Sequence, residues 1–325
     1  MGDLGLATKD KRLERKYNMV DYDVVIVGGG PAGLTAGLYL SRGKRRCILL
    51  EKEAFGGPIE NVEWIENYPG FANGVAGAHL ASEMVSQATK YGLQLKLAEV
   101  VGIEASTSCR WVRCAGQVSY AAKVVIIAGG GRPQKLGVPG EEELQGEGVF
   151  NCAFCDGDEF TGRVVAVCGS GDSGITEALY MTQLAAKVIL IEMASELTAS
   201  KILQERALAN PKIEIHCKAK IEAIIGEDRV EAVELLEIEK GQKRVLEVDG
   251  VLVHVGLESN TSYLKGIVPL DSQGQIVVNN RMETDIPYIL AAGDIRSGSP
   301  RQIITAASDG TIAAISAEKL LQELA

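Results

Sequence analysis

Cys152 and Cys155 stand two residues apart in Asn151-Cys152-Ala153-Phe154-Cys155-Asp156-Gly157-Asp158, and an acid follows the second at once. Two thiols at this spacing can close a very small disulfide ring and open it again, which suits them to reversible redox chemistry. Zinc is the competing use of such a pair. A closed zinc site needs four ligands, normally a second pair or histidines at short spacing. The chain has no second C-x-x-C, and its nearest His-Cys neighbours, His216 and Cys217, lie alone in a strand-like run. No metal is expected.

Redox chemistry needs electron-carrying machinery, and the sequence offers it on both sides of the cysteines. Tyr22-Asp23-Val24-Val25-Ile26-Val27 reads as a buried parallel strand and runs into Gly28-Gly29-Gly30-Pro31-Ala32-Gly33, after which 34–42 has helical composition. Strand, G-x-G-x-x-G and helix in that order make a dinucleotide fingerprint. Gly28 allows the tight turn, Gly30 lets backbone approach a pyrophosphate, and Gly33 lets helix pack on strand. The phosphates would sit at the helix N-terminus. Cys47-Ile48-Leu49-Leu50 is a second strand ending at Glu51, whose carboxylate can accept ribose hydroxyls. Downstream, Val164-Val165-Ala166-Val167-Cys168 leads into Gly169-Ser170-Gly171-Asp172-Ser173-Gly174, a helix through Leu184, and a strand ending at Glu192. Each acid lies 23 residues after the first glycine of its fingerprint, from 28 to 51 and from 169 to 192. A unit repeated in register argues for two dinucleotide sites.

These motifs must be carried by a chain of 325 residues, enough for about two domains. Apolar content of 46% and charged content of 23% are ordinary for a globular protein. A net charge of −10 argues against nucleic acid or an anionic membrane as partner, and no apolar run is long enough to span a bilayer. Residues 1–20 form a polar extension without the apolar core of a secretory signal. Seven cysteines are an odd number in a long chain, so a secreted disulfide framework is not indicated and a reducing cytoplasm fits best. Cys47 and Cys168 read as core residues, while Cys109, Cys114 and Cys217 have no partner spacing. Phe55-Gly56-Gly57-Pro58 and Glu66-Asn67-Tyr68-Pro69-Gly70 read as loops, 78–91 as an amphipathic helix with His79 on its surface, and 93–128 as strand-rich. The strand closing at Ala128 meets Gly129-Gly130-Gly131, which puts bare backbone near a ligand, and the second half closes similarly at Gly256. Glu141-Glu142-Glu143 reads as a solvated face and His254 as a satisfied strand histidine. A strand ending at Asp294 then precedes a long final helix opened by Arg301-Gln302-Ile303 and reaching about Leu324. Asp294 could hold a cofactor hydroxyl or simply cap a turn.

Together, Gly28 to Gly33, Gly56-Gly57, Glu66 to Gly70, Cys152 to Gly157, and Gly293-Asp294 with Arg301-Gln302-Ile303 give the chain after about residue 20 a resemblance to the low-molecular-weight thioredoxin reductases. The resemblance implies an α/β fold of two Rossmann-like three-layer (ββα) dinucleotide-binding domains, the second inserted in the first. An FAD domain would comprise 21–134 and 263–325, and a nicotinamide domain carrying the cysteines 135–262. It implies FAD contacts from Gly28, Gly30, Pro31, Ala32 and Gly33, from Glu51, Lys52, Gly57 and Asn67, from Ala128 and Gly129, and from Asp294, Ile295, Arg301, Gln302 and Ile303. Nicotinamide dinucleotide contacts would come from Gly169, Gly171, Asp172, Ser173 and Gly174, with Glu177, Glu192 and Gly256. Cys152 would attack the disulfide of a thioredoxin-like protein, Cys155 would face the flavin, and Asp156 would protonate the leaving thiolate. The family also implies a homodimer and a large rotation between domains.

Two positions depart from that pattern. Pro58 stands where the family usually has glutamine, so no role is carried to it. NADPH-dependent members follow the second strand with His-Arg-Arg; here the stretch is Glu192-Met193-Ala194, with no arginine until Arg206. A carboxylate at about 4 Å repels a phosphate charge by roughly 4 kcal/mol at an effective dielectric near 20. The same group suits a free 2′-hydroxyl, by about 1.5–3 kcal/mol. The stretch is more similar to the NADH-using flavoprotein subunit of alkyl hydroperoxide reductase, so NADH is expected over NADPH. The alternatives are a peroxiredoxin- or glutaredoxin-like partner, a ferredoxin donor, and a dinucleotide-sensing protein without catalysis; the sensor has no use for Cys152 and Cys155 beside an acid.

Overall fold

The structure, a computed structural model, describes residues 21–106 and 109–324, so the expected extension over 1–20 lies outside the described residues. Strand β1 (Tyr22–Val27), helix α1 (Pro31–Arg42) and strand β2 (Cys47–Glu51) come first, then α2 (Gly77–Thr89), β3 (Gln94–Leu97), β4 (Val100–Ala105), β5 (Arg110–Cys114), β6 (Ser119–Ile127) and β7 (Gly131–Pro133). The middle of the chain carries β8 (Val149–Phe150), α3 (Ala153–Asp156), β9 (Val164–Cys168), α4 (Asp172–Leu184), β10 (Lys187–Glu192), α5 (Lys201–Ala209) and β11 (Ile213–Cys217). Strands β12 (Ala219–Ile225), β13 (Ala232–Glu237), β14 (Gln242–Glu247), β15 (Gly250–Val253) and β16 (Leu257–Ser259) follow, and β17 (Ile289–Ala291) and α6 (Ile303–Glu323) close it.

The chain divides into two units: residues up to Gly131 with those from Ser259 onward, and Arg132–Glu258 between them. The chain passes between the units along β7 and β16, which pair with each other as a two-stranded sheet. In the first unit β3-β2-β1-β6 run side by side in parallel, with β17 parallel to the second half of β6. The first half of β6 pairs antiparallel with β5, and β5 with β4. Strand β6 thus serves both a parallel sheet and an antiparallel meander. Alternation along the buried strands explains the layering. Val24, Ile26, Val124 and Ile126 face α1 and α6, whereas Val25, Val27, Val125 and Ile127 face Ile103 and Val112 of the meander. A strand buried on both faces needs an unbroken apolar run, as Val24 to Val27 of β1 form. Each fully buried Val or Ile contributes about 1.5–3 kcal/mol.

The second unit repeats this plan. Its sheet, β11-β10-β9-β15-β8, is parallel throughout. Val165, Val167 and Leu190 face Ile175, Ala178 and Met181 of α4. Ala166, Ile189 and Ile191 face Ile221, Val233 and Leu235 of the antiparallel meander β12-β13-β14. Among the described residues no helix is long and apolar enough to cross a membrane.

Candidate active site

The cysteine pair sits on a single helical turn. Cys152 takes the position before α3, in extended backbone, and the amide of Cys155 donates to its Sγ at 3.1 Å. A disulfide joins the two residues, whose Cα atoms are 5.3 Å apart. The turn is anchored from two directions. Ala153 is fully buried against Phe160 and the α4 face, and its amide donates to Glu177 Oε2 of α4 at 2.6 Å. Gly157 carries no side chain because a Cβ there would come within about 3.1 Å of Met181 and Leu184 on α4. Phe154 projects outward and tilts against Tyr180, 5.8 Å between ring centroids. Cys155 and Asp156 are exposed and Cys152 half-buried, so in the oxidised state Cys152 is the less accessible of the two. Although Asp156 is exposed, its carboxyl is partly desolvated by its neighbours and is pushed up first by that desolvation and then by the negative Glu159 and Glu177, which keeps it protonated to higher pH than a free aspartate.

Both glycine turns have the same construction. Gly28 and Gly169 hold φ of +111° and +98°, and a Cβ on either would fall 2.2 Å from a carbonyl oxygen, of Ala128 and His254 respectively. Gly33 and Gly174 lie over them; their Cβ atoms would fall 1.9 and 2.2 Å from the carbonyl oxygens of Gly28 and Gly169. Gly30 and Gly171 are different. A Cβ there would meet nothing within 4 Å, and each precedes its helix with no side-chain cap. The first amides of α1 and α4, after Pro31-Ala32 and Asp172-Ser173, are therefore left open to an anionic ligand, which is the geometry a pyrophosphate fits. The terminal acids also match. Glu51 Oε2 accepts from the Gly29 amide at 2.6 Å and Oε1 from Lys52 and Glu53, while Glu192 Oε2 accepts from the Ser170 amide and hydroxyl and Oε1 from Ala194.

The remaining positions in the first unit gather around that turn. Gly57, at φ +69°, would place a Cβ 3.1 Å from Gly30 Cα, so a loop closes over the glycines. Asn67 Nδ2 donates to Gln302 Oε1 at 3.1 Å, which joins the loop to the residue before α6, and Ile303 packs with Ile59 and Ile65. Asp294 follows β17, accepts from Ser299 Oγ at 3.2 Å, and has its carboxyl pushed up by burial, partly opposed by that hydroxyl and by Arg301. Lys52 is exposed and its ammonium turns to Glu99 at 3.5 Å. Ile295 is fully buried and its carbonyl accepts from Ile276, so its side chain belongs to the core. Arg301 is exposed with φ +56°. Gly129 offers its carbonyl to Asn260 Nδ2, and Gly256 accepts from the Gln134 amide at the connection between units.

Two residues differ from their sequence readings. Glu141 is not part of a solvated face: it is buried, and its two oxygens accept the amides of Leu136 and Gly137, which satisfy the charge internally. His254 is not a satisfied strand residue; it lies just past β15, and its buried Nε2, 3.0 Å from Glu177 Oε2, makes no hydrogen bond among the described residues. Lys218, unremarked in sequence, lies near the Glu192 loop, its amide donating to the Ala194 carbonyl and its ammonium to Glu239. The His254 and Lys218 contacts join residues far apart in the chain, so nothing local in the sequence announces them, whereas Glu141 folds back on amides four and five residues before it. Cys47 and Cys168 are core residues as expected, the Cys47 thiol being pushed up to about 12 by burial. Among the described residues no cluster of His, Cys, Asp and Glu could hold a metal ion.

The family described as pyridine nucleotide-disulphide oxidoreductase matches residues 22–310. A thioredoxin reductase of Listeria innocua is 39% identical over 304 residues, covering 93% of this chain and 95% of the relative. Among solved structures, the thioredoxin reductase of Lactococcus lactis superposes with a TM-score of 0.91 at 35% identity, covering 93% of this chain and 99% of that one. That of T. acidophilum gives 0.88 at 34%, covering 94% and 99%.

Proposed function

This chain belongs to the pyridine nucleotide-disulphide oxidoreductase family and is an FAD-dependent oxidoreductase, and from that premise we propose that it reduces thioredoxin or a thioredoxin-like protein with electrons from NADH. The observation that carries this reading is the Cys152–Cys155 disulfide, set beside Asp156 in a chain with two matching dinucleotide turns. We assign FAD to the turn of Gly28, Gly30 and Gly33 with Glu51, Asn67, Asp294 and Gln302, and the nicotinamide dinucleotide to Gly169, Gly171, Gly174 and Glu192. The open amides and the space in front of Gly30 and Gly171 fit such groups. A bound flavin supplies two-electron exchange between a hydride donor and a disulfide.

The residues of the chain do the rest. Reduction breaks the Cys152–Cys155 bond with two electrons and two protons. The Cys155 amide already donates to Cys152 Sγ, and a hydrogen bond of that kind favours a thiolate there. That makes Cys152 the better nucleophile despite its lower exposure in the oxidised state. Its thiolate would attack one partner sulfur, forming a mixed disulfide and expelling the other as a thiolate, which Asp156 protonates. Cys155 would then attack Cys152, closing the ring and releasing the second partner thiol. A Cys155→Ser variant should therefore hold the partner covalently at Cys152, whereas Cys152→Ser should hold none.

NADH over NADPH is supported by Glu192, whose carboxylate stands at the end of β10 where a 2′-phosphate would meet it, and by the exposed Met193 beside it. Lys218 also lies near that loop, its amide on the Ala194 carbonyl, but Glu239 holds its ammonium. Rapid mixing of oxidised enzyme with either cofactor tests this: flavin reduction should be faster with NADH. Equal or faster reduction by NADPH would overturn the preference, and Glu192→Arg should move it toward NADPH by roughly tenfold, about 1.4 kcal/mol. A homodimer and a reducing cytoplasm belong to the same proposal; sedimentation should give a particle of twice the chain mass.

A further inference from the structure

The two nucleotide turns match residue for residue, which makes their differences informative. Ala128 follows the strand that flanks the first turn: its amide donates to Val27, and its carbonyl lies under Gly28. His254 holds the same place in the second half, donating to Cys168 with its carbonyl under Gly169. The eighth residue after the first glycine is Ala36 on α1 and Glu177 on α4. The turn itself needs only a backbone carbonyl and a small residue at these positions, as the first half demonstrates. In the second half both alanines are replaced, by an acid and an imidazole that face each other.

Their surroundings show what the replacement reaches. Glu177 Oε2 accepts the Ala153 amide, the peptide that joins Ala153 to Cys152, at 2.6 Å, and the His254 Nε2 lies 3.0 Å from the same oxygen. That Nε2 is buried and makes no hydrogen bond among the described residues, and a buried polar atom left so is costly. A small rotation of the ring would let Nε2–H donate to the carboxylate. We propose that His254 is a positioning residue for the redox pair: it holds the Glu177 carboxylate, which in turn fixes the peptide next to Cys152. It also draws off part of the negative charge that Glu177 would otherwise direct at a Cys152 thiolate. The strand end, the helix of the nucleotide turn and the cysteine turn are thereby tied through one oxygen. This inference rests on the reading of Cys152–Cys155 as the working redox couple.

The test is the thiol–disulfide equilibrium of that couple in the full-length flavoprotein against dithiothreitol, read by alkylation and mass spectrometry. His254→Ala should make the pair harder to reduce by about tenfold, roughly 30 mV for a two-electron couple. His254→Gln, whose amide can still donate to Glu177, should recover most of the change. In a Glu177→Gln background, His254→Ala should add nothing. Alanine already serves at the matching place in the first half, so the variant should fold, and its melting curve checks this. A wild-type equilibrium in His254→Ala, failure of His254→Gln to recover it, or effects of His254→Ala and Glu177→Gln that simply add would overturn the inference. A wild-type pair that dithiothreitol and its disulfide do not move would sink the redox reading itself, an outcome distinct from all of these.

Discussion

At the scale of single residues, Asp156 is the group whose chemistry depends most on its neighbours. Partial desolvation, Glu159 and Glu177, in that order, raise its pKa, so the protonated acid persists to higher pH. Activity that needs this proton is present below the raised pKa and lost as pH climbs through it. Glu159→Gln removes one of the raising charges, so the alkaline fall in disulfide reduction should move to lower pH; an unmoved profile would remove Asp156 from the role. Asp156→Asn should cost about 10²–10⁴-fold in the rate of partner reduction, the usual range for a general acid, while flavin reduction by NADH stays as in wild type. The sequence made the cysteines, Asp156 and the two terminal acids legible because each lies next to its motif. It did not reveal Glu177 against His254, nor the burial of Glu141. Those depend on which side chains meet after helix, strand and loop have packed, and no local pattern encodes that.

At the scale of elements, glycines in one fingerprint do two different jobs, and substitution separates them. Gly33→Ala would drive a Cβ into the Gly28 carbonyl, so it should lower stability by roughly 1–3 kcal/mol, as overpacking does. Gly30→Ala meets open space; its melting temperature without flavin should stay near wild type while FAD is retained more weakly. Calorimetry and flavin absorbance per chain check both. Loss of stability without loss of flavin in Gly30→Ala would contradict the assignment of that turn. The strands and helices of both β-α-β units were legible from periodicity, since strands buried on two faces read as apolar runs. The meander β12-β13-β14 was not. In its strands apolar residues alternate with charged ones such as Lys220, Glu222 and Glu234, and the apolar face is buried only by packing on β9 and β10.

At the scale of the whole chain, each unit has its own parallel sheet with apolar contacts on both faces. The middle unit is one continuous segment, Arg132–Glu258, whereas the outer one needs both ends of the chain. The segment 132–258 expressed alone should fold, bind NADH and carry no flavin, which thermal shift with added NADH and absorbance at flavin wavelengths would check. The proposed function requires one electron route, from nicotinamide through flavin to the Cys152–Cys155 bond. Anaerobic titration with NADH tests it most directly, by comparing wild type with a Cys152→Ser, Cys155→Ser double variant. Wild type should take up about two two-electron equivalents per chain, one for flavin and one for disulfide, and the variant about one. Equal uptake by the two proteins, with the flavin fully reduced in both, would show that no electrons pass to the cysteines and would contradict the account.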